Sequence, residues 1–186
     1  DWTWNQSRNS LRLGRQFLDA AYNSADRVDQ ADLYRQFLVP TTLSFVGHRT
    51  RHDAEADFSP LRSVRILSMW SQLRYGSHFS SALYGSGVSY RPVSTLTLNG
   101  NWRATEADYE DTVANRRGKG RSATASAQYA GGQYTASAEL EYDRRTNNYA
   151  DTARGTRYTK GLVTLRRGKC SASFEDFRED SLITVW

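Results

Sequence analysis

The chain is poor in the residues on which several common architectures depend. Its single cysteine, Cys170, excludes an internal disulfide framework and a metal site built from several cysteines. No apolar run approaches the ~18 residues of a transmembrane helix, and no charged-then-apolar leader is visible near Asp1. Prolines number only three, whereas 11 Tyr, 5 Trp and 7 Phe favour strands over helices. These counts indicate an all-β protein.

Lysine is scarce as well. Of 25 basic residues only Lys119, Lys160 and Lys169 are lysines, and the net charge is +5. The arginines are scattered along the sequence with acidic residues among them, which is unlike the basic stripe of a nucleic-acid-binding surface. We therefore expect no nucleic-acid partner.

The most informative stretch is residues 121–143, where two runs alternate with period two around a Gly131-Gly132 turn. Because the side chains of a strand alternate between faces, this pattern predicts a hairpin with one apolar and one polar face. The apolar face is mostly alanine, whereas a soluble sheet normally presents Val, Ile and Leu. Tyr134 and Tyr142 lie roughly 26 Å apart along a strand, near the height of the lipid band between the aromatic girdles of an outer-membrane barrel.

Further strands are predicted at residues 10–17, 31–36, 41–48, 95–104, 157–166 and 170–177. Short turns at 92–94 and 167–169 alternate with long polar loops at 106–120 and 144–156, as in outer-membrane barrels. Residues 19–30 are predicted to be a polar loop or a short helical turn, 37–40 a turn, and 49–60 a further polar segment. A turn at 74–77 would divide residues 64–90 into two strands and break the up-and-down order. The alternatives are one long strand with an irregular entry, or a region that lies partly in a loop.

The two ends of the sequence look incomplete for a barrel. Residues 1–5 begin abruptly, and residues 181–186 are shorter than the ~9–11 residues of a membrane strand. The aromatic Trp186 matches the aromatic last residue of complete outer-membrane barrels. We expect a fragment or a partly traced barrel.

Two stretches carry a resemblance at the level of a protein class. SYRPVSTLTLNGNW (89–102) resembles the periplasmic turns of large Gram-negative outer-membrane barrels. SLRLGRQF (10–17) is similar to strands of porin and alginate-export-type channels, in which arginines line the pore. Barrels that sheath periplasmic cytochromes in metal-reducing bacteria look similar too. Because this chain has no CxxCH motif, it could not bind c-type haem itself.

Residues with catalytic or metal-binding chemistry are few. His48 and His52 lack the neighbouring ligands of a metal site. His78 with Ser80 and Ser81 permits a membrane-embedded hydrolase, for which the spacing is unspecific. The loop carboxylates Asp108, Glu110 and Asp111 lack the EF-hand pattern. We expect no metal, no cofactor and no catalytic residue.

The sequence thus predicts one all-β domain over residues 1–186, an antiparallel up-and-down transmembrane β-barrel of about 10–12 strands, or part of a larger barrel. Its expected role in the bacterial outer membrane is a channel for polar or anionic solutes or polymers, or the barrel component of a trans-envelope complex. Expected partners are membrane lipid or lipopolysaccharide, and periplasmic or outer-membrane proteins. The predicted lumen-lining residues are Arg12, Asn99, Asn101, Arg103, Gln128, Glu139, Glu141, Lys160, Arg166 and Glu175. The predicted lipid-facing residues are Leu96, Leu98, Trp102, Ala123, Ala125, Ala127, Tyr129, Tyr134, Ala136, Ala138, Leu140, Tyr142, Val163 and Leu165.

Two alternatives stay open at this point. The first is a soluble or cell-surface antiparallel β module that works in adhesion or as a structural element. The second is the outer-membrane hydrolase. Whether the apolar face meets lipid separates the barrel from the soluble module.

Overall fold

The computed structural model describes residues 1–18, 36–40, 48–110, 115–149 and 153–184. Ten strands form one antiparallel sheet in which each strand pairs with the next along the chain. The strands are β1 (Trp2–Gln6), β2 (Asn9–Leu18), β3 (Arg49–Leu61), β4 (Val64–Tyr75), β5 (Phe79–Val93), β6 (Leu96–Glu110), β7 (Asn115–Gly131), β8 (Tyr134–Asn147), β9 (Ala153–Arg167) and β10 (Cys170–Thr184). The prediction of an all-β, antiparallel, up-and-down sheet is confirmed.

The connections differ between the two ends of the sheet. At one end, two-residue turns at 7–8, 62–63, 94–95, 132–133 and 168–169 join the strands pairwise. At the other end the connections are longer, from 76–78 to the 30 residues between β2 and β3. Gly132 and Gly168 open their turns with φ of 59° and 54°. Such tight hairpin turns favour glycine, which adopts positive φ at no steric cost.

The sheet is open in the described part of the chain. β1 pairs only with β2 and β10 only with β9, so both act as edge strands. β1 has five residues, while the unpaired edge of β10 has 15. The two edges therefore differ greatly in length.

The predicted loops at 106–120 and 144–156 are wrong, because strands extend through most of these segments, as they do through the polar segment 49–60. β6 continues to Glu110, β7 begins at Asn115 and β8 ends at Asn147. Charged residues of opposite sign face each other across these extensions: Glu106 is opposite Lys119 and Asp108 is opposite Arg117. Cross-strand pairs of opposite charge stabilise a sheet, so a polar sequence here does not mark a loop.

Residues 64–90 form two strands, β4 and β5, joined by the turn 76–78. The up-and-down order is kept because 49–60, predicted as a polar segment, lies in β3. Residues 181–184 are not a separate short strand but the end of β10. The hairpin turn lies at Gly132-Gln133, one residue later than predicted, since Gly131 pairs with Tyr134.

Several predictions lie outside the described residues: the loop 19–30, nearly all of the strand 31–36, most of the strand 41–48, Asp111 and Trp186. No helix in the described ranges is long and apolar enough to cross a membrane. Among the described residues the hydrophobic core is small and lies at one place, where the segment 36–40 packs on the sheet. It consists of Phe37, Leu38, Val39, Leu73, Tyr75, Phe79, Leu83 and Ala107.

Candidate functional site

The strand register divides the side chains of the sheet between two faces. Residues directly opposite one another in neighbouring strands share a face. One row crosses the sheet from β2 to β9 through Arg12, Glu55, Met69, Gly85, Arg103, Ser122, Asp143 and Tyr158. This side is named the polar face. The opposite side carries Trp70, Tyr84 and Trp102. It is named the banded face, because an apolar band near the two-residue turns gives way to charged residues toward the longer connections.

The two sets of residues singled out by the sequence lie on opposite faces. Every residue of the predicted lumen set, from Arg12 to Glu175, falls on the polar face. Every residue of the predicted lipid-facing set, from Leu96 to Leu165, falls on the banded face. Their roles toward lumen and lipid stay predictions.

The polar face is crossed by the segment 36–40, of which the sequence predicts residues 37–40 to be a turn. Phe37 is 1% exposed, and Leu38 and Val39 are buried with it. These side chains pack on the end of the sheet that carries the long connections, against Leu73 and Phe79. The segment thus covers the buried apolar cluster on the polar face.

Polar contacts fix the backbone of this segment. Thr105 Oγ1 donates a hydrogen bond to Gln36 O at 2.9 Å, and Tyr149 Oη donates one to Leu38 O at 2.8 Å. The Arg51 guanidinium lies 5.5 Å from the centre of the Phe37 ring, within the range of a cation–π contact. Leu38 has a φ of 55°, a conformation that a bulky residue keeps only where its surroundings over-determine it.

Two glycines of β7 make room for these contacts. A Cβ on Gly118 would lie 2.5 Å from Tyr149 Oη and 3.4 Å from Leu38 Cδ1. A Cβ on Gly120 would meet the same Leu38 methyl at 3.5 Å. Burial, together with the nearby Asp108 carboxylate, raises the pKa of Tyr149. The phenol therefore stays neutral and keeps its hydrogen bond to Leu38 well into alkaline pH.

The segment separates two grooves on the polar face. One groove of about 380 Å³ lies toward β6–β9 and is lined by Arg103, Glu141 and Asp143 among others. The other, of about 450 Å³, lies toward β2–β5 and is lined by Arg12 and Glu55 among others. Gln36 and Leu83 border both. A solute that moved along this face would pass the segment on one side or the other.

Most charges lining the grooves are compensated by neighbours. Arg51 lies 2.9 Å from Asp53, and Arg145 lies 2.8 Å from Asp143. Farther along the sheet, Lys160 lies 3.2 Å from Glu175.

The other predicted lumen residues have mostly polar neighbours. Glu141 accepts a hydrogen bond from Tyr158 Oη, and Arg12 lies 3.5 Å from Asp1. Asn99 and Asn101 donate to Ser126 and Thr124, whereas Arg166 donates to Gly168 O. Gln128 and Glu139 are exposed. Arg103 has no ion pair within the described ranges, so the first groove holds a cation that no acidic side chain of the protein neutralises.

The banded face has a different composition at its two ends. Near the two-residue turns it is mostly apolar, and its large apolar side chains are exposed: Leu140 is 66%, Leu165 56% and Trp102 47% accessible. All the exposed large apolar side chains of the described residues lie on this face except Phe177. Toward the longer connections the same face becomes charged, as at Asp108 and Arg117, which lie 3.3 Å apart.

The residues considered for a hydrolase or a metal site are dispersed. His78 lies in the turn between β4 and β5, and Ser80 and Ser81 follow on opposite faces of β5. His48 stacks on Phe17 at 5.6 Å, whereas His52 lies on the banded face opposite Arg15. Within the described ranges no group of three or more His, Cys, Asp or Glu is placed to hold a metal ion. Cys170 is exposed at the start of β10.

The comparisons with known proteins give no family. No protein-family model and no curated protein sequence matches this chain.

Proposed function

We propose that this chain forms wall strands of a β-barrel in a bacterial outer membrane. In this proposal the banded face contacts lipid, and the polar face lines a water-filled lumen through which polar or anionic solutes pass. The observation that carries the proposal is the one-sided exposure of large apolar side chains. Soluble monomers rarely expose contiguous apolar surface of more than a few hundred Å², whereas a membrane strand alternates lipid-facing apolar residues with lumen-facing polar ones.

The height of the apolar region supports this assignment. On β8 it extends from Tyr134 to Tyr142 and ends at Arg144; on β7 it extends from Tyr129 to Ala123 and ends at Arg121. Eight residues of strand span roughly 26 Å, which a tilt of ~40° reduces to about 20 Å across the bilayer. An outer-membrane barrel carries an apolar band of ~25 Å with aromatic girdles. The strands of 14–17 residues from β5 to β10 therefore extend beyond the band at one end.

The different lengths of the connections at the two ends of the sheet also support the proposal and indicate an orientation in the membrane. Two-residue turns lie at the end where the banded face is apolar, and the longer connections lie at the charged end. Barrels of this class have short periplasmic turns and longer extracellular loops. The charged ends of the strands, with the segment 36–40 between them, would then lie on the outer side of the membrane.

Closure is required by the proposal because unpaired backbone groups are costly in lipid. The 15-residue edge of β10 cannot be covered by the five residues of β1 alone. We therefore propose that further strands complete the wall, and that this sheet is part of a larger barrel or assembly. The same sheet with its apolar face against another protein is the second candidate, a surface module, which the open edges favour.

The dependence of folding on detergent tests the proposal. The purified chain should be monodisperse and rich in β-structure by circular dichroism only with detergent or lipid present. A monodisperse, folded chain in plain buffer would contradict the membrane assignment and support the surface module. In planar bilayers, stepwise ion conductance supports a channel, whereas insertion without conductance supports a structural wall.

A further inference from the structure

Three arginines that are far apart in the sequence lie side by side on the banded face. Arg121 of β7 is directly opposite Arg144 of β8, which is directly opposite Arg157 of β9. Neighbouring strands are ~4.8 Å apart, so three guanidinium groups emerge from a strip of about 10 Å. All three residues are exposed. These residues are named the arginine row.

The row is incompletely neutralised by the protein. Arg157 lies 2.5 Å from Asp180, but Arg121 and Arg144 have no ion pair within the described ranges. Lys119, two residues before Arg121 on β7, is opposite Glu106. Like charges directly opposite each other destabilise a sheet. An anion bound across Arg121 and Arg144 removes that repulsion.

The row borders the apolar region directly. The next residues toward the two-residue turns are Ala123, Tyr142 and Thr159, which form the adjacent cross-strand row. Along β8 the banded face thus changes from Leu140 through Tyr142 to Arg144 within four residues, about 13 Å of strand. This order of apolar, aromatic and cationic groups matches the order of acyl chain, interface and headgroup in a lipid leaflet.

A recess lies at the β10 end of the row. It has a volume of about 380 Å³ and is lined by Tyr142, Arg157, Thr159, Arg178 and Asp180. Arg178 lies 3.6 Å from Asp176 and is 78% exposed. A polar headgroup can enter this recess while its acyl chain extends along the apolar region below.

We propose that the arginine row binds the phosphate of an anionic membrane lipid. This inference rests on the proposed membrane location and adds a lipid-binding site at the charged border of the banded face. Charge complementarity supports this ligand, because arginine binds phosphate oxygens bidentately and the adjacent apolar surface matches a phosphate that carries acyl chains. A free phosphate or a nucleic acid would leave that apolar surface unused.

Binding of defined lipids tests the proposal. The full chain in nonionic detergent is titrated with phosphatidylglycerol or with phosphatidylcholine, and bound lipid is counted by native mass spectrometry. We expect preferential binding of phosphatidylglycerol. In the double variant Arg121→Gln/Arg144→Gln the affinity should fall about 25-fold, because each basic residue near an anionic lipid surface contributes about fivefold.

A matched control distinguishes a specific effect of the arginine row from the effect of removing two positive charges anywhere on this face. Arg15→Gln/Arg74→Gln removes the same charge from exposed positions on the same face, and neither residue is opposite another arginine. This variant should keep the wild-type affinity within about twofold. Circular dichroism of both variants verifies folding, and loss of phosphatidylglycerol binding between 50 and 500 mM salt provides a readout that needs no variant.

Each other result would overturn the proposal. Equal binding of the two lipids, or an equal loss of phosphatidylglycerol affinity in both double variants, would show that the arginine row is not a specific lipid-binding site. Competition by inorganic phosphate at concentrations equal to the lipid would identify a free anion as the ligand. Tighter binding of a single-stranded oligonucleotide, or dimers that dissociate in the Arg121/Arg144 variant, would assign the row to those partners. A chain that needs detergent yet shows no lipid preference refutes this inference and leaves the membrane proposal intact.

Discussion

Ala138 lies at the centre of the apolar region and offers a direct probe of its environment. It is midway between Tyr134 and Tyr142 on β8, and it pairs with Ala127 and Val163 on the neighbouring strands. Each tyrosine is roughly 13 Å away along the strand, which places Ala138 near the midplane of the proposed lipid band. Arginine at the midplane of a barrel costs ~2–4 kcal/mol, whereas surface substitutions in water lie within about 0.5 kcal/mol. We expect Ala138→Arg to lower the free energy of unfolding by ~2–4 kcal/mol.

Urea unfolding in phospholipid vesicles, followed by tryptophan fluorescence and extrapolated linearly, measures this loss. Ser137→Arg is the matched control, because Ser137 is the adjacent residue but lies on the polar face opposite Gln128 and Thr164. Its cost should stay within about 0.5 kcal/mol. If Ala138→Arg lowered the free energy of unfolding by as little as the control does, the assignment of this face to lipid would be refuted.

Three further predictions concern the polar face. Tyr149→Phe removes the hydrogen bond to Leu38 O and should cost about 0.5–1.5 kcal/mol at neutral pH. Because the pKa of Tyr149 is raised in the folded state, the stability that its neutral phenol provides is complete below the ordinary tyrosine pKa of about 10 and declines as the pH rises from there through the folded-state pKa. The stability difference between wild type and Tyr149→Phe should therefore narrow in urea titrations at rising alkaline pH, and a constant difference would contradict it. Gly118→Ala brings a Cβ within 2.5 Å of Tyr149 Oη and should cost about 1–3 kcal/mol of unfolding free energy, whereas Gly100→Ala, which has nothing within 4 Å of its Cβ, should cost nothing. Arg103→Glu should shift the reversal potential of bilayer currents toward cation selectivity, and an unchanged potential would place Arg103 away from the ion path.

The two-faced character of the sheet could be predicted from the sequence because alternation is local. Whether a side chain points to one face or the other depends only on its parity along the strand. The assignment of Ala138 and Glu139 to different faces therefore survives errors in the ends of strands and in the positions of turns. The predicted loops failed for a related reason, since a strand that is polar on both faces carries no alternation to detect.

The arginine row could not be predicted, because it depends on register. A turn at Gly131-Gly132 would place Arg121 opposite Tyr142, whereas the observed turn places it opposite Arg144. The sequence is compatible with both turns, since either of the two adjacent glycines can adopt the positive φ. When the turn shifts by one residue, each residue of β7 pairs with a residue of β8 two positions away. Every side chain then stays on its face but has a different cross-strand neighbour.

The burial of the segment 36–40 could not be predicted from local sequence patterns either. Its sequence is short and reads as a turn, and its partners are distant: Thr105 and Tyr149 contact it across 69 and 111 residues of sequence. Gly118 and Gly120 gave a weak signal, because glycines within a strand often mark a close approach of another backbone or side chain.

The contact of the banded face with lipid is tested most directly by the accessibility of each position from residue 134 to 142. In a Cys170→Ser background, single cysteines along this stretch of β8 carry a spin label, and relaxation by oxygen is compared with relaxation by a water-soluble nickel complex in lipid vesicles. Even-numbered positions should favour oxygen, most strongly at Ala138, and odd-numbered positions should favour nickel, with a period of two. High nickel accessibility at both parities would contradict a lipid-facing wall.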